Sequence, residues 1–380
     1  MIDAEERYYI VVLCARPTLS SVVLVLATVV GLPARAQQPP GAANRPTPLV
    51  PAETLWSVTL QEPPSAAAAM DASSVFVASR AGAVMAFARD DGRQLWSVPL
   101  STSQPPVVAH GAVYLATKDA VSALDPATGR AQWQVQPGES PGLLASAGDA
   151  LAAVVGGRTL VVLAAVDGHE LWRAALPDVA RHAPASDGRH LVVTLMDGRV
   201  LAFRRDDGSL AWQRILPGQL APPAVASGLA VVGSTTNEVF ALRLTTGAIA
   251  WRWRVGGDVV GVAGDDVLVI ASLDNVIRAV RTGSGNQRWK KPVGSRPAYP
   301  PLIVAGHALV TSVSPLVSVY LVASGALEGT YQAPAELAGP ALAGPAGTMG
   351  ASVVVLTRDG RLIGLRTKPE EKTSPPAARP

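Results

Sequence analysis

The chain has 380 residues, of which 48% are apolar and only 16% charged, enough to bury a large core under a thin polar coat. A formal net charge of +3, with Lys and Arg scattered rather than striped, argues against nucleic acid as a partner. The lone cysteine, Cys14, excludes a disulfide framework or a thiolate zinc cluster.

Residues 1–36 read as an export signal. Arg16 precedes the apolar run 19–32, and Ala34-Arg35-Ala36 supplies small residues for cleavage before Gln37. The run is shorter than the roughly 20 residues a spanning helix needs, so no membrane span is expected in the mature chain. Cys14 stands before the run, which argues against a lipid anchor. The expected location is outside the cytoplasm, periplasmic or extracellular. Residues 37–52 are Pro-rich and read as an extended linker.

From there a repeat takes over. Trp56, Trp96, Trp133, Trp172, Trp212, Trp251 and Trp289 recur at spacings of 40, 37, 39, 40, 39 and 38. A glycine stands four residues before six of them: Gly92, Gly129, Gly168, Gly208, Gly247 and Gly285. Short apolar runs such as Val121–Leu124 precede the glycine and the Trp-bearing run follows it, which makes a β-hairpin. Upstream lies another strand, as in VFVAS (75–79), and before it a small-residue run such as PPVVA (105–109). Four strands in about 40 residues, with no helical period, is the signature of a propeller blade.

Second strands start near Val75, Val113, Leu151, Leu191, Leu229, Val267, Ala308 and Ser352, which makes eight units. The seventh keeps its turn glycine, Gly325, but has Gly329 in the place of tryptophan. The eighth stops one strand short, while residues 54–60 are a lone Trp-bearing strand. The fold expected is therefore all-β: an eight-bladed β-propeller of four-stranded antiparallel blades over 53–366, closed by an N-terminal strand that completes the last blade. Closure leaves no sheet edge at the seam. Residues 367–380 are polar and Pro-rich and read as a disordered tail.

Ala123-Leu124-Asp125-Pro126-Ala127-Thr128-Gly129-Arg130-Ala131-Gln132-Trp133 resembles the A-x-D-x-x-T-G-x-x-x-W repeat of pyrroloquinoline-quinone (PQQ)-type propellers. The resemblance extends over about 54–366 and, in size and layout, is to the non-enzymatic BamB-like branch. It implies that the seven tryptophans dock neighbouring blades, and that the chain is a binding or scaffolding propeller with an envelope protein or peptide as partner. A monomer is expected. The resemblance is specific for fold and not for activity.

In such blades the loop entering strand one and the loop between strands two and three share a face. That face carries the binding candidates Arg80, Arg158, Arg181, His182, Arg199, Arg296, Tyr299 and Arg358, with Lys118, Asn237, Glu238, Asp274 and Asn275 beside them. Bases outnumber acids in this set, which suggests an anionic ligand or acidic peptide. The inner strands are nearly uncharged, so no catalytic residue, cofactor or metal is expected. The alternatives are a PQQ-dependent oxidoreductase with Ca²⁺, or a propeller that binds a small molecule or glycan. Gly138-Glu139-Ser140-Pro141-Gly142 fits a hydrolase elbow in letters but lacks the strand-to-helix setting. His110, His169, His182, His190 and His307 show no metal-ligand spacing and read as surface-turn residues. The pairs Asp90-Asp91 and Asp206-Asp207 read as turn chemistry before a glycine.

Overall fold

The computed structural model describes residue 49, residues 52–344 and residues 352–367. The expected export signal, its cleavage site, nearly all of the linker and nearly all of the tail lie outside these residues. All regular structure described is β, in eight four-stranded antiparallel sheets. Blade one comprises Ala69–Met70, Ser74–Ala78, Val84–Ala88 and Gln94–Val98, ordered from the inner to the outer strand. Blades two to seven repeat that order, each from a consecutive stretch of chain. Each innermost strand contacts that of the next blade, and Leu342–Ala343 of blade eight returns to Ala69–Met70.

Blade eight is built from both ends of the propeller. Ala52–Thr59 pairs with Arg361–Thr367, placing Trp56 opposite Gly364. The strand therefore closes the ring as expected, running Ala52–Thr59 where 54–60 was expected.

Burial explains the sequence pattern. The second and third strands are covered on both faces by neighbouring blades, so they read as unbroken apolar runs: Ala112–Ala116 is buried throughout. Outer strands have one wet face and alternate, as Ala131–Val135 does around buried Trp133.

The tryptophans are aimed by a bulge. In blades one to seven the third strand steps register against the fourth, leaving one residue unpaired just before the Trp position; Gln132 is that residue in blade two. In the closing strand the same step falls between Thr54 and Trp56. Each indole is thereby turned onto the hairpin of the next blade. Trp56, Trp96, Trp133, Trp172, Trp212, Trp251 and Trp289 donate their Nε1–H to the carbonyls of Arg89, Pro126, Ala165, Arg205, Leu244, Thr282 and Val322 at 2.6–3.0 Å. The turn glycine of that next hairpin lies flat beneath the ring.

Seven such joints link eight blades. The joint between blades seven and eight differs because blade eight has no hairpin turn on which to dock: its third strand ends at Thr367 and its fourth begins at Ala52. Gly329 stands where the indole would start. The bulged residue before it, Glu328, reaches His307 instead, with Nε2 and Oε2 2.9 Å apart and side-chain exposures of 0% and 6%. The two atoms are in ion-pair range but lack hydrogen-bond alignment. His307 is therefore not a surface-turn residue. It lies two positions before Leu309, which packs with Leu49, Val353, Ile363 and Leu365 at the seam.

Candidate functional site

The candidate residues are in the loops expected. Arg80 lies in the second-to-third loop of blade one, Arg158 in that of blade three and Arg358 in that of blade eight; Arg199 opens the third strand of blade four. Arg181 and His182 lie between blades three and four, and Arg296 and Tyr299 between blades six and seven. The antiparallel order puts all of these on one face of the ring.

Their charges are not all free. Arg158 pairs with Asp178 at 2.7 Å, Arg199 with Asp197 at 3.3 Å and Arg358 with Glu336 at 3.6 Å. Sequence reading left these three acids out of the set: Asp178 and Glu336 meet their arginines only through the folding of the loops, while Asp197 stands two residues before Arg199 in the same turn. Asp274 belongs to Arg278, buried beside Ser272. Burial pushes the Asp274 carboxyl up, but the Arg278 and Ser272 hydrogen bonds outweigh it and hold the group below the usual carboxylate range. The face is thus mixed in charge rather than uniformly basic.

Two places remain distinctive. The first is a platform spanning blades three to five. Val179 and Met196 are 37% and 49% exposed, and the Met196 amide donates to the Val179 carbonyl at 2.9 Å. The Arg181 guanidinium contacts the Met196 sulfur at 3.3 Å and the Gln219 side-chain carbonyl at 2.9 Å. Beneath it His182 Nε2 meets the Leu220 carbonyl at 3.1 Å. Burial depresses the His182 imidazole below its ordinary value, the Arg181 charge adds to this, and the Leu220 bond opposes it.

The second is a cleft of about 600 Å³ over blades one to three, lined by Arg80, Lys118, Gln104 and a set of Ser and Thr residues. Arg80 also lines a smaller neighbouring cavity with Arg358. Arg158, Arg199, Arg296 and Tyr299 line neither cavity. Tyr299 is tied to the Leu337 carbonyl at 3.5 Å, and Arg296 is exposed.

Other motifs resolve into structure. Ser140 of the elbow-like string donates to the Lys118 carbonyl and leads into strand Pro141–Ala147, not a helix. Asp91 and Asp207 accept the amides of Arg93 and Ser209, each at 2.9 Å, as turn acids do. Among the described residues no cluster of His, Cys, Asp and Glu has metal-site geometry, and no helix is long and apolar enough to cross a membrane.

Comparison with known proteins adds a family. The family model described as outer membrane protein assembly factor BamB matches residues 51–143, 118–253 and 216–324, overlapping registers of the repeat. Outer membrane protein assembly factor BamB of Yersinia pestis is 27% identical over 250 residues, which is 60% of this chain. That match spans only 56% of the relative's own length. The crystal structure of BamB from Moraxella catarrhalis superposes with a TM-score of 0.64 at 18% identity, covering 83% of this chain and 99% of that one. The computationally designed protein Ika8 reaches 0.71 at 14% identity, covering 82% and 99%. At such identities the structural likeness establishes the fold alone.

Proposed function

The chain belongs to the family of outer membrane protein assembly factor BamB, and from that premise we propose that it is an exported, non-catalytic propeller that docks an envelope protein of outer-membrane assembly. The observation that carries this reading is the Val179–Met196–Arg181 platform. Exposed apolar side chains beside a guanidinium held in a fixed orientation make a protein-docking surface, since buried apolar and Arg anchors supply most interface energy. The Gln219 contact fixes Arg181 before any partner arrives, which lowers the entropy cost of docking.

The inner strands support binding over redox chemistry. From Ala69–Met70 round to Leu342–Ala343 they carry no charged residue that could hold a quinone or Ca²⁺. Absorption spectra after incubation with PQQ and Ca²⁺ test that alternative directly: a bound-quinone band would establish it.

The docking reading is tested by affinity capture from a detergent-solubilised envelope. The parent protein should enrich outer-membrane assembly proteins, and the Met196→Asp, Arg181→Glu variant should lose them while keeping its melting temperature. Equal enrichment by parent and variant would remove the platform from the interface.

A further inference from the structure

We propose that the cleft over blades one to three is a second site, one that binds an extended acidic peptide segment; this rests on the docking reading above and assigns a class of partner chemistry to the same face. The cleft has a volume of about 600 Å³, and its twelve lining residues include two cations, Arg80 and Lys118, and no acid. On a face where Arg158, Arg199 and Arg358 each have a carboxylate partner, Arg80 and Lys118 have no side-chain partner among the described residues.

The cleft is preformed. Ser65 Oγ donates to the Thr102 carbonyl at 2.7 Å, tying the loop that enters blade one to the loop between blades one and two. Ser140 Oγ donates to the Lys118 carbonyl at 2.7 Å, tying the loop entering blade three to blade two. Thr117 Oγ1 donates to the Ala120 carbonyl at 3.0 Å. These bonds hold the loops in place without a ligand, so binding does not have to order them.

The same bonds select the ligand. A hydroxyl whose proton is committed to a backbone carbonyl has only acceptor lone pairs left to offer. Ser65 and Ser140 therefore suit a ligand that brings N–H donors, while Arg80 and Lys118 suit one that brings carboxylates. A peptide with acidic side chains supplies both. Free phosphate offers mainly acceptor oxygens and few O–H donors, and so matches the two cations better than it matches these lone pairs. The neighbouring acids Asp119 and Glu139 are not part of the lining.

Fluorescence anisotropy with a labelled poly-glutamate peptide tests this, with poly-glutamine of equal length and inorganic phosphate as comparisons. Poly-glutamate should bind the parent, weaken about tenfold in the Arg80→Gln, Lys118→Gln variant, and weaken with added salt. Poly-glutamine should not bind, phosphate should not displace the peptide at equal concentration, and Arg130→Gln on the opposite face should be silent. Unchanged affinity in the double variant, equal binding of poly-glutamine, or displacement by phosphate would each overturn the peptide assignment. If that variant still captures the envelope partners and the Met196→Asp, Arg181→Glu variant does not, the docking reading stands while the cleft inference falls.

Discussion

The Trp133 indole lies so closely over Gly168 of the next blade that a Cβ there would stand 2.6 Å from its Cε3 atom. Gly168 also has φ +77°, so both space and backbone demand glycine. The two residues form one joint, with the indole N–H bonded to Ala165 at 3.0 Å. Trp133→Ala should lower unfolding free energy by about 3–5 kcal/mol. Gly168→Ala should be destabilising too, although it adds only one methyl group. Because the two act on the same joint, the double variant should lose less than the sum of the singles. Urea titration of all three reads this, and strict additivity would mean that the residues are not coupled.

That joint is why the fold was legible. A tryptophan and a glycine in register every 37 to 40 residues cannot be packed any other way around a ring, and the missing eighth hairpin announced its own closure. Gly329 breaks the repeat without explanation in the sequence, which shows the absent indole but not the absent turn it would have docked on. The candidate face was legible only as a location. Asp178 and Glu336 come from loops 20 and 22 positions away from their arginines, so no local pattern announces those two pairs, whereas Asp197 stands two residues before Arg199 in the same turn and was legible. The Arg80–Lys118 cleft was equally hidden, since five separate loops make it and no single loop shows it.

Removing the closing strand should open the ring. Ala52–Thr59 carries Trp56, which is buried and docks on blade one, and Leu60 follows it into the core. A chain beginning at Gln61 should melt well below one beginning at Ala52 and should self-associate through the exposed edge of Arg361–Thr367. Equal melting temperatures, with both chains monomeric by light scattering, would refute closure by this strand.

The buried pair at the seam gives a prediction with a reversal in it. Removing one partner of a buried polar pair leaves the other without its counterpart, at a cost of about 1–3 kcal/mol. His307→Leu or Glu328→Met alone should therefore destabilise the ring. The double variant fills the same space with apolar side chains and should recover most of the loss. A double variant as unstable as the sum of the singles would show that shape at this joint, not the polar pairing, sets the energy.

His182 makes stability depend on pH on the neutral side of the carboxylate range. Its folded-state pKa is depressed, by burial first and by the Arg181 charge second, while in the unfolded chain it titrates near about 6.5. Between those two values the unfolded chain holds more protons than the folded one, so stability falls as pH falls. The contribution is complete above about pH 6.5 and is lost on going down through that value towards the folded pKa. Asp274, also depressed, acts in the same direction, but only near and below about pH 4, where carboxyls titrate in the unfolded chain. The window from about pH 7.5 to about pH 5.5 therefore separates the histidine from the acid. His182→Gln keeps a side chain that can donate to the Leu220 carbonyl and removes the proton-binding site. Its melting temperature should fall less across that window than the parent's. The quantity to compare is the difference between the two slopes, because other histidines contribute equally to both. If the slopes coincide, burial of His182 beneath the Val179–Met196–Arg181 platform does not bias its protonation, and the platform would carry no sensitivity to acid through this residue.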